Sequence, residues 1–267
     1  TDLPTISPTV APKTDRADLL SCYPVGDHHI GMLSWRDETG EDYDTSIAVD
    51  ILSQATDYLV DKSPASDEAL ILLLGDFLHY DSFVAETPMN RNKLDSDTRF
   101  PNVVEAAFNV IRYMVNCTLK KHKTVRLILE IGNHDPSSMV IFMQAMNNIF
   151  MDEPRVTVDT SPMHYHYYRF GKCLIATHHG HGTKLANLPG IMAADRSKDW
   201  GETEYRYWYT GHIHQDKKLD FPGCSVESFR ILPPADAWAH QNGYRSHRDM
   251  KSIILHNTVN PDMLKTS

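Results

Sequence analysis

Five short polar clusters along the chain contain residue types that bind metals or transfer protons. They are Asp27-His28-His29, Gly75-Asp76-Phe77-Leu78-His79, Gly132-Asn133-His134-Asp135, His178-His179-Gly180-His181 and Gly211-His212-Ile213-His214. Carboxylate, imidazole and amide groups suit Mn²⁺, Fe²⁺ or Zn²⁺, and the lack of thiolate argues against a structural zinc site. The sequence therefore predicts a centre for divalent cations.

The chemistry of such a centre depends on how many cations it holds. Two cations roughly 3.5–4 Å apart clamp the attacking and leaving oxygens of an in-line displacement at phosphorus. Asp76 lies in a glycine turn and is the predicted bridging carboxylate. The side chains predicted to share the two ions with it are Asp27, His29, Asn133, His212 and His214.

His134 directly follows the predicted ligand Asn133 and is therefore expected to reach the phosphate. Its imidazole could protonate the leaving oxygen or stabilise developing charge. Asp135 is predicted, from adjacency alone, to orient this ring. Together these residues predict hydrolysis of a phosphoester.

Each cluster follows a run of strand-type residues, which decides where it would lie. The unbroken apolar run 69–74 ends at Gly75, and the run 124–131 ends at Gly132. In open α/β sheets, ligands collect at the carboxyl ends of strands. We therefore expect all five clusters to converge on one edge.

The remaining elements follow from hydrophobic periodicity. One helix is predicted at about 44–62, a second begins at Pro101 and a third begins at Pro136. The third helix is Met-rich and is interpreted as part of the core, with a homodimer or partner surface as the alternative. From Arg155 the period becomes two, which predicts antiparallel hairpin strands. These strands are 155–158, 164–170 and 173–177, followed by 206–209, 225–232 and 250–255. The pattern predicts two sheets packed face to face and flanked by helices.

Length and composition bound the class of protein. The 267 residues can bury a full core, and no apolar run is long enough to cross a bilayer. Residues 1–16 are rich in Thr and Pro and are interpreted as a flexible tail or linker from a domain before Thr1, with the catalytic domain at 17–267. Four widely spaced cysteines predict free thiols and a cytoplasmic location.

The formal charge of −9 argues weakly against a nonspecific nucleic-acid binder. Two bound divalent cations would nevertheless reverse the local sign where phosphate lies. The sign of the whole chain therefore does not decide the substrate.

The ordered motifs resemble those of the calcineurin-like metallophosphoesterases, over about residues 18–232. The resemblance implies a four-layer α/β/β/α sandwich of two mixed sheets flanked by helices, two divalent metal ions (Mn²⁺ first, Fe²⁺ or Zn²⁺ as alternatives), and His134 as the catalytic acid. It implies one metal held by Asp27, His29, Asp76 and His214. It implies a second held by Asp76, Asn133, His212 and His179, with His178 as the alternative to His179.

The second motif departs from the commoner G-D-x-x-D-R-G pattern of this family. His79, three residues after Asp76, resembles the SbcD-type DNA repair exonucleases, in which this histidine assists at the phosphodiester. The resemblance implies a DNA nuclease that uses a metal-activated water, with His79 as a second catalytic histidine. A hydrogen bond from His79 to a ligand carboxylate is the alternative.

Only 53 residues follow His214, so the full capping domain of such exonucleases does not fit. Trp238, Arg245 and Arg248, in the polar segment 233–248, are predicted DNA contacts, with a solvated loop as the alternative. The same two interpretations apply to the cations of the long loop 80–100, which are Arg91, Lys93 and Arg99. Four histidines outside the motifs are interpreted as ordinary strand or surface residues: His164, His166, His240 and His247.

Three functions follow. The first is a DNA nuclease. The second is a phosphatase or phosphodiesterase for nucleotides or another small phosphoester, favoured by the acidic charge and the missing cap. The third is a scaffold without activity, which the complete set of predicted ligands argues against.

Overall fold

The structure, a computed structural model, describes residues 8–259. Its helices are α1 (Arg36–Thr39), α2 (Thr45–Lys62), α3 (Phe100–Leu119), α4 (Pro136–Ile149), α5 (Leu188–Asp195), α6 (Ser197–Glu202) and α7 (Ala237–Gln241). Its strands are β1 (Arg16–Val25), β2 (Ser66–Leu73), β3 (Thr124–Leu129), β4 (Val156–Val158), β5 (His166–Phe170), β6 (Cys173–His178), β7 (Tyr205–Thr210), β8 (Lys217–Phe221), β9 (Cys224–Ser228) and β10 (Ile253–His256).

Within the described residues these strands form two mixed five-stranded sheets. The first has the order β10-β1-β2-β3-β4, with β1 to β4 parallel and β10 antiparallel at the edge. The second has the order β5-β6-β7-β9-β8, with a parallel centre and antiparallel edges. Parallel centres place the carboxyl ends of β1, β2 and β3, and of β6 and β7, at common edges.

Four layers result, as the sequence predicted. Helices α2, α3 and α4 pack on the outer face of the first sheet, where Leu52, Val110 and Phe142 are buried. The inner faces meet through side chains such as Leu72 from β2 and Tyr209 from β7. Helix α5 covers the outer face of the second sheet. The α/β/β/α sandwich is confirmed.

The predicted antiparallel hairpins are correct for β5–β6 but wrong for β4–β5, which lie in different sheets. β4 joins the first sheet parallel to β3, and β6 pairs in parallel with β7. Period two identifies the faces of a strand but carries no information on its direction. Helices α5 and α6 make the crossover from β6 to β7. The sequence pattern predicted neither of these helices, nor β8, α1 and α7.

The Met-rich helix α4 is mainly core. Met139, Met143 and Met146 are buried against the first sheet, whereas Ile141 and Met151, which follows the helix, are exposed. The core interpretation therefore explains most of the stripe, and a dimer surface stays a prediction.

A buried ion pair ties the two sheets beside the site. Glu130, directly after β3, lies 2.9 Å from Nδ1 of His166 on β5, and both side chains are about 1% exposed. Thr177 of β6 also donates to this carboxylate. Burial lowers the pKa of His166, but the Glu130 carboxylate outweighs it and raises the pKa to about 9. His166 is thus a buried, charged link rather than an ordinary strand residue.

Residues 8–15 have no regular structure, but Thr9 donates to Glu153 and Thr14 to Asp67. The first seven residues of the predicted tail lie outside the described residues, so its interpretation as a linker stays a prediction. All four cysteines are free and buried. Among the described residues, each helix is too short or too polar to cross a membrane.

Candidate metal centre

The structure brings the five clusters together at the carboxyl ends of the strands. Asp27 follows β1, Asp76 follows β2 and Asn133 follows β3, while His179 and His212 follow β6 and β7. Because the two sheets pack face to face, these ends meet across the interface between them. The convergence expected from the sequence is present.

Two groups of possible ligand atoms that include a carboxylate lie side by side, and a third group among the described residues, His29, His79 and His134, consists of histidines alone. Asp27, His29 and His214 have ligand atoms within 4.8 Å of one another. In the first group, Nε2 of His214 is 2.7 Å from an oxygen of Asp27.

The second group consists of Asp76, His179 and His212, again with ligand atoms within 4.8 Å of one another. Nε2 of His179 is 3.2 Å from Asp76 and 3.0 Å from the amide oxygen of Asn133. The two groups contain members of the two predicted ligand sets, and metal binding by these residues and the bridging position of Asp76 stay predictions.

Of the doubled histidines, His179 joins the ligand group. Its Nδ1–H donates to the Leu74 carbonyl at 2.7 Å, which leaves Nε2 facing Asp76 and Asn133. A backbone acceptor of this kind fixes the tautomer and orientation of a ligand imidazole. His178 instead accepts from the Gly180 N–H and stacks on Tyr165, so it turns away.

Four ligand residues have strained backbone. His29, Asp76, His212 and His214 have φ between 48° and 67°, in the left-handed region that residues other than glycine rarely adopt. Each such conformation costs on the order of 1–3 kcal/mol and persists only where its surroundings determine it. The surrounding structure therefore fixes the backbone of these loops and with it the positions of the four side chains.

Each buried carboxylate also accepts a backbone N–H from another motif. Asp27 accepts from His212 N at 2.9 Å, and Asp76 accepts from His134 N at 2.7 Å. A Cβ at Gly132 would lie 2.1 Å from an oxygen of Asp76, so the motif needs glycine there. The first and last motifs, and the second and third, thus position one another.

The charge balance of the centre fits divalent cations. Asp27 and Asp76 are almost fully buried, and their ion pairs in the described residues are with histidines. Burial lowers the pKa of His179, but these two carboxylates outweigh it and raise the pKa to about 10. Buried carboxylates require compensating positive charge. Divalent cations would supply this charge, and the O and N donors of the centre suit such cations.

His134 is half-buried and its ring is fixed. Its Nδ1–H donates to the carbonyl of His79 at 2.8 Å, so Nε2 is left to face a ligand. The predicted orienting role of Asp135 is wrong: its carboxylate accepts from Leu78 N and Gly132 N. Asp135 therefore joins the second motif to the third, and a backbone carbonyl orients the histidine.

His79 is buried beside His134 and His29. Its ring is stacked on His134 at 5.6 Å, and its Nδ1 is 3.4 Å from Nδ1 of His29. Its Nε2 has no partner among the described residues. Burial, and then the charge of His134, lower the pKa of His79 to about 3, so the ring is neutral. Among the residues that the structure describes, His79 makes no hydrogen bond to a ligand carboxylate, which was its alternative role.

The segment 233–248 makes its described contacts away from the ligand groups. Trp238 is exposed and stacks on Tyr244, and Arg245 donates to the carbonyls of His240 and Tyr244. Arg248 pairs with Glu41 at 2.6 Å. These contacts are those of a solvated loop, and DNA contact by this segment stays a prediction.

Sequence reasoning missed several supporting residues. Asp81 accepts from the N–H groups of Ser137 and Ser138, which caps α4 from the neighbouring loop. The carbonyls of Leu74 and His79 orient two of the site histidines. Backbone carbonyls carry no sequence signal, and the partner of Asp81 lies 56 residues away.

No protein-family model matches the sequence, and no curated protein matches it. Among solved structures, it is similar to a conserved uncharacterized protein from Streptococcus pneumoniae TIGR4, described as a predicted phosphoesterase. The identity is 10%, the TM-score is 0.34, and the match covers 89% of this chain and 83% of that chain. A likeness at this level carries no weight for function, which must come from the residues of this chain.

Proposed function

We propose that this protein is a metal-dependent phosphodiesterase and that its substrate is DNA. The observation that carries the hydrolase is the pair of carboxylate–imidazole groups lying side by side with a fixed histidine at their edge. In this proposal Asp27, His29 and His214 hold one cation.

Asn133, His179 and His212 hold the second cation, and Asp76 serves both. Bound cations would supply Lewis acidity to the phosphoryl oxygens and activate the attacking water. Mn²⁺ is the proposed metal, because mixed O and N donors suit it.

The residues of the chain then position and protonate the substrate. His134, held through Nδ1 by the His79 carbonyl, presents Nε2 to the leaving oxygen. As the water oxygen bonds to phosphorus and releases one proton to solvent, the P–O ester bond breaks and the leaving oxygen takes a proton from Nε2 of His134. General acid catalysis of this kind contributes about 10²–10⁴-fold. His79 supports the step by packing on the His134 ring rather than by giving a proton, because it is buried and neutral.

The DNA proposal rests on His79 in the second motif, and a nuclease assay tests it. With Mn²⁺, the protein should degrade linear DNA. Asp76→Ala should abolish this activity, and His134→Ala should lower its rate by about 10²–10⁴-fold. His164→Ala, which alters an exposed histidine outside the motifs and outside segment 233–248, is the matched control. Hydrolysis of bis-p-nitrophenyl phosphate with no cleavage of linear, nicked or single-stranded DNA would contradict the nuclease.

A small nucleotide phosphodiester is the second candidate. Arg248 pairs with Glu41 and Arg36 with Asp42, so carboxylates lie among the cations near Trp238. Such a surface attracts a polyanion less than a freely cationic groove would. Activity confined to dinucleotides or cyclic nucleotides in the same assay would favour this candidate.

The role of His79 can be separated from that of a ligand. His79→Ala should lower kcat while the metal content per chain stays unchanged. Loss of one metal in this variant would instead mean that His79 supports His29 as a ligand. Elemental analysis beside the kinetics distinguishes these outcomes.

A further inference from the structure

The long loop between β2 and α3 encloses a cavity of about 380 Å³. Its walls include the rings of Tyr80, Phe83 and Phe100, together with Ser96, Thr98 and Arg99. Phe100 lies 5.7 Å from Tyr80 and 5.9 Å from Phe83, measured between ring centroids. The volume falls in the range of small-molecule sites.

The cavity is built on the loops that carry the catalytic histidines. Tyr80 directly follows His79, whose carbonyl holds His134. On the other side, the Gly31 carbonyl accepts from Asp97 N, and the Tyr80 ring lies 3.2 Å from where a Cβ of Gly31 would be. One wall of the cavity is therefore the residue next to His79 in the chain, packed against the residue two positions after His29.

The lining selects the chemistry of the occupant. Phe83 is 85% exposed, which leaves a large aromatic face in water when the cavity is empty. Tyr80 is buried and its hydroxyl is bonded to the Thr98 carbonyl, so this residue forms an apolar floor of the cavity and offers no polar group. Aromatic walls stack flat π systems, and the guanidinium of Arg99 at the same cavity complements a phosphate.

We propose that this cavity binds the nucleobase adjoining the scissile phosphodiester, with Arg99 facing a flanking phosphate. This inference rests on the proposed phosphodiesterase and specifies its substrate class as nucleotidic. Phe83 is the specificity-determining residue, because its exposed ring completes the wall on which the base stacks.

Two esters with the same leaving group test the cavity. Thymidine 5′-(p-nitrophenyl phosphate) carries a base, and methyl p-nitrophenyl phosphate does not. Phe83→Ala should raise KM about tenfold for the thymidine ester, the loss expected for one stacking contact, and leave the methyl ester unchanged. Met89→Ala is the matched control, because Met89 is in the same loop, is also 85% exposed and does not line the cavity.

The outcomes separate this inference from the proposed function. If both esters are hydrolysed and Phe83→Ala changes neither KM, the base site is overturned. It is also overturned if Phe83→Ala raises both KM values equally, because the cavity would then bind the shared leaving group. If neither ester is hydrolysed, calorimetric binding of thymidine 5′-monophosphate decides. Binding that Phe83→Ala weakens and Met89→Ala does not would support the base site while the proposed catalysis fails. Equal binding by both variants, or no binding by the unaltered protein, would overturn the base site.

Discussion

Replacing Gly132 by alanine should disable the metal centre without unfolding the protein. The φ angle of Gly132 lies outside the left-handed region, so alanine can adopt its backbone conformation. The new methyl group, however, would lie 2.1 Å from both the backbone nitrogen and an oxygen of Asp76, and 2.8 Å from an oxygen of Asp135. The perturbation is therefore steric, and it displaces both the backbone and the carboxylate of Asp76.

The distances give the size of the effect. Ordinary van der Waals contact begins at 3.4 Å, so Asp76 and the methyl group, 2.1 Å apart, must separate by about 1.3 Å. Metal–ligand distances tolerate only about 0.2 Å. Disturbing a residue that merely orients a ligand costs about 10–100-fold in metal affinity, so displacing the ligand itself should cost at least about 100-fold. Overpacking of this kind destabilises the fold by about 1–3 kcal/mol.

Calorimetric titration of chelator-treated protein with Mn²⁺, beside thermal unfolding, measures both effects. Gly190→Ala is the control, because a Cβ there meets nothing within 4 Å and the residue lies within α5. It should leave Mn²⁺ binding unchanged and stabilise the helix by about 0.5–1 kcal/mol. Folded Gly132→Ala protein that binds Mn²⁺ with unaltered affinity and stoichiometry would refute the role assigned to Asp76.

Three further predictions follow. His134→Ala should lower kcat by about 10²–10⁴-fold with unchanged metal content; a parallel loss of metal would contradict its role as proton donor. Asp135→Ala should lower the free energy of unfolding by several kcal/mol in urea titrations, because about 1–3 kcal/mol is lost for each of the two buried N–H donors left unpaired. The pKa of His166 is raised from 6.5 to about 9, so its charge stabilises the fold below about pH 6.5, and this stability, about 3 kcal/mol, is lost as pH rises toward 9. His166→Gln should remove that pH dependence, and equal slopes for both proteins between pH 6.5 and 9 would contradict it.

The first half of the fold was predictable because its signals are local. The apolar run before Asp76 and the amphipathic pattern of α2 identify a buried strand and a covering helix without any partner. The second half was harder, because the period-two pattern of β6 and β7 fits parallel and antiparallel pairing equally. Only the connection through α5 and α6 decides, and α6 has just six residues, too few for a helical period to show.

The candidate site was predictable where side chains act at strand ends. Asp27, Asp76, His179 and His212 could be placed from motif and strand together, and the structure brings them into one centre. What holds them in place could not be predicted. The carbonyl that fixes His134 and the left-handed backbone of the ligand loops depend on tertiary contacts that no spacing encodes. The prediction that Asp135 orients His134 was wrong, because the side chains of neighbouring residues in a tight loop point in different directions.

The central claim is that this chain holds two divalent cations side by side. A crystal soaked in Mn²⁺ and measured at the manganese absorption edge tests it most directly. Two anomalous peaks about 3.5–4 Å apart are expected, one among Asp27, His29 and His214 and the other beside His179 and His212. No peak, or a single peak away from these residues, would contradict the dinuclear centre.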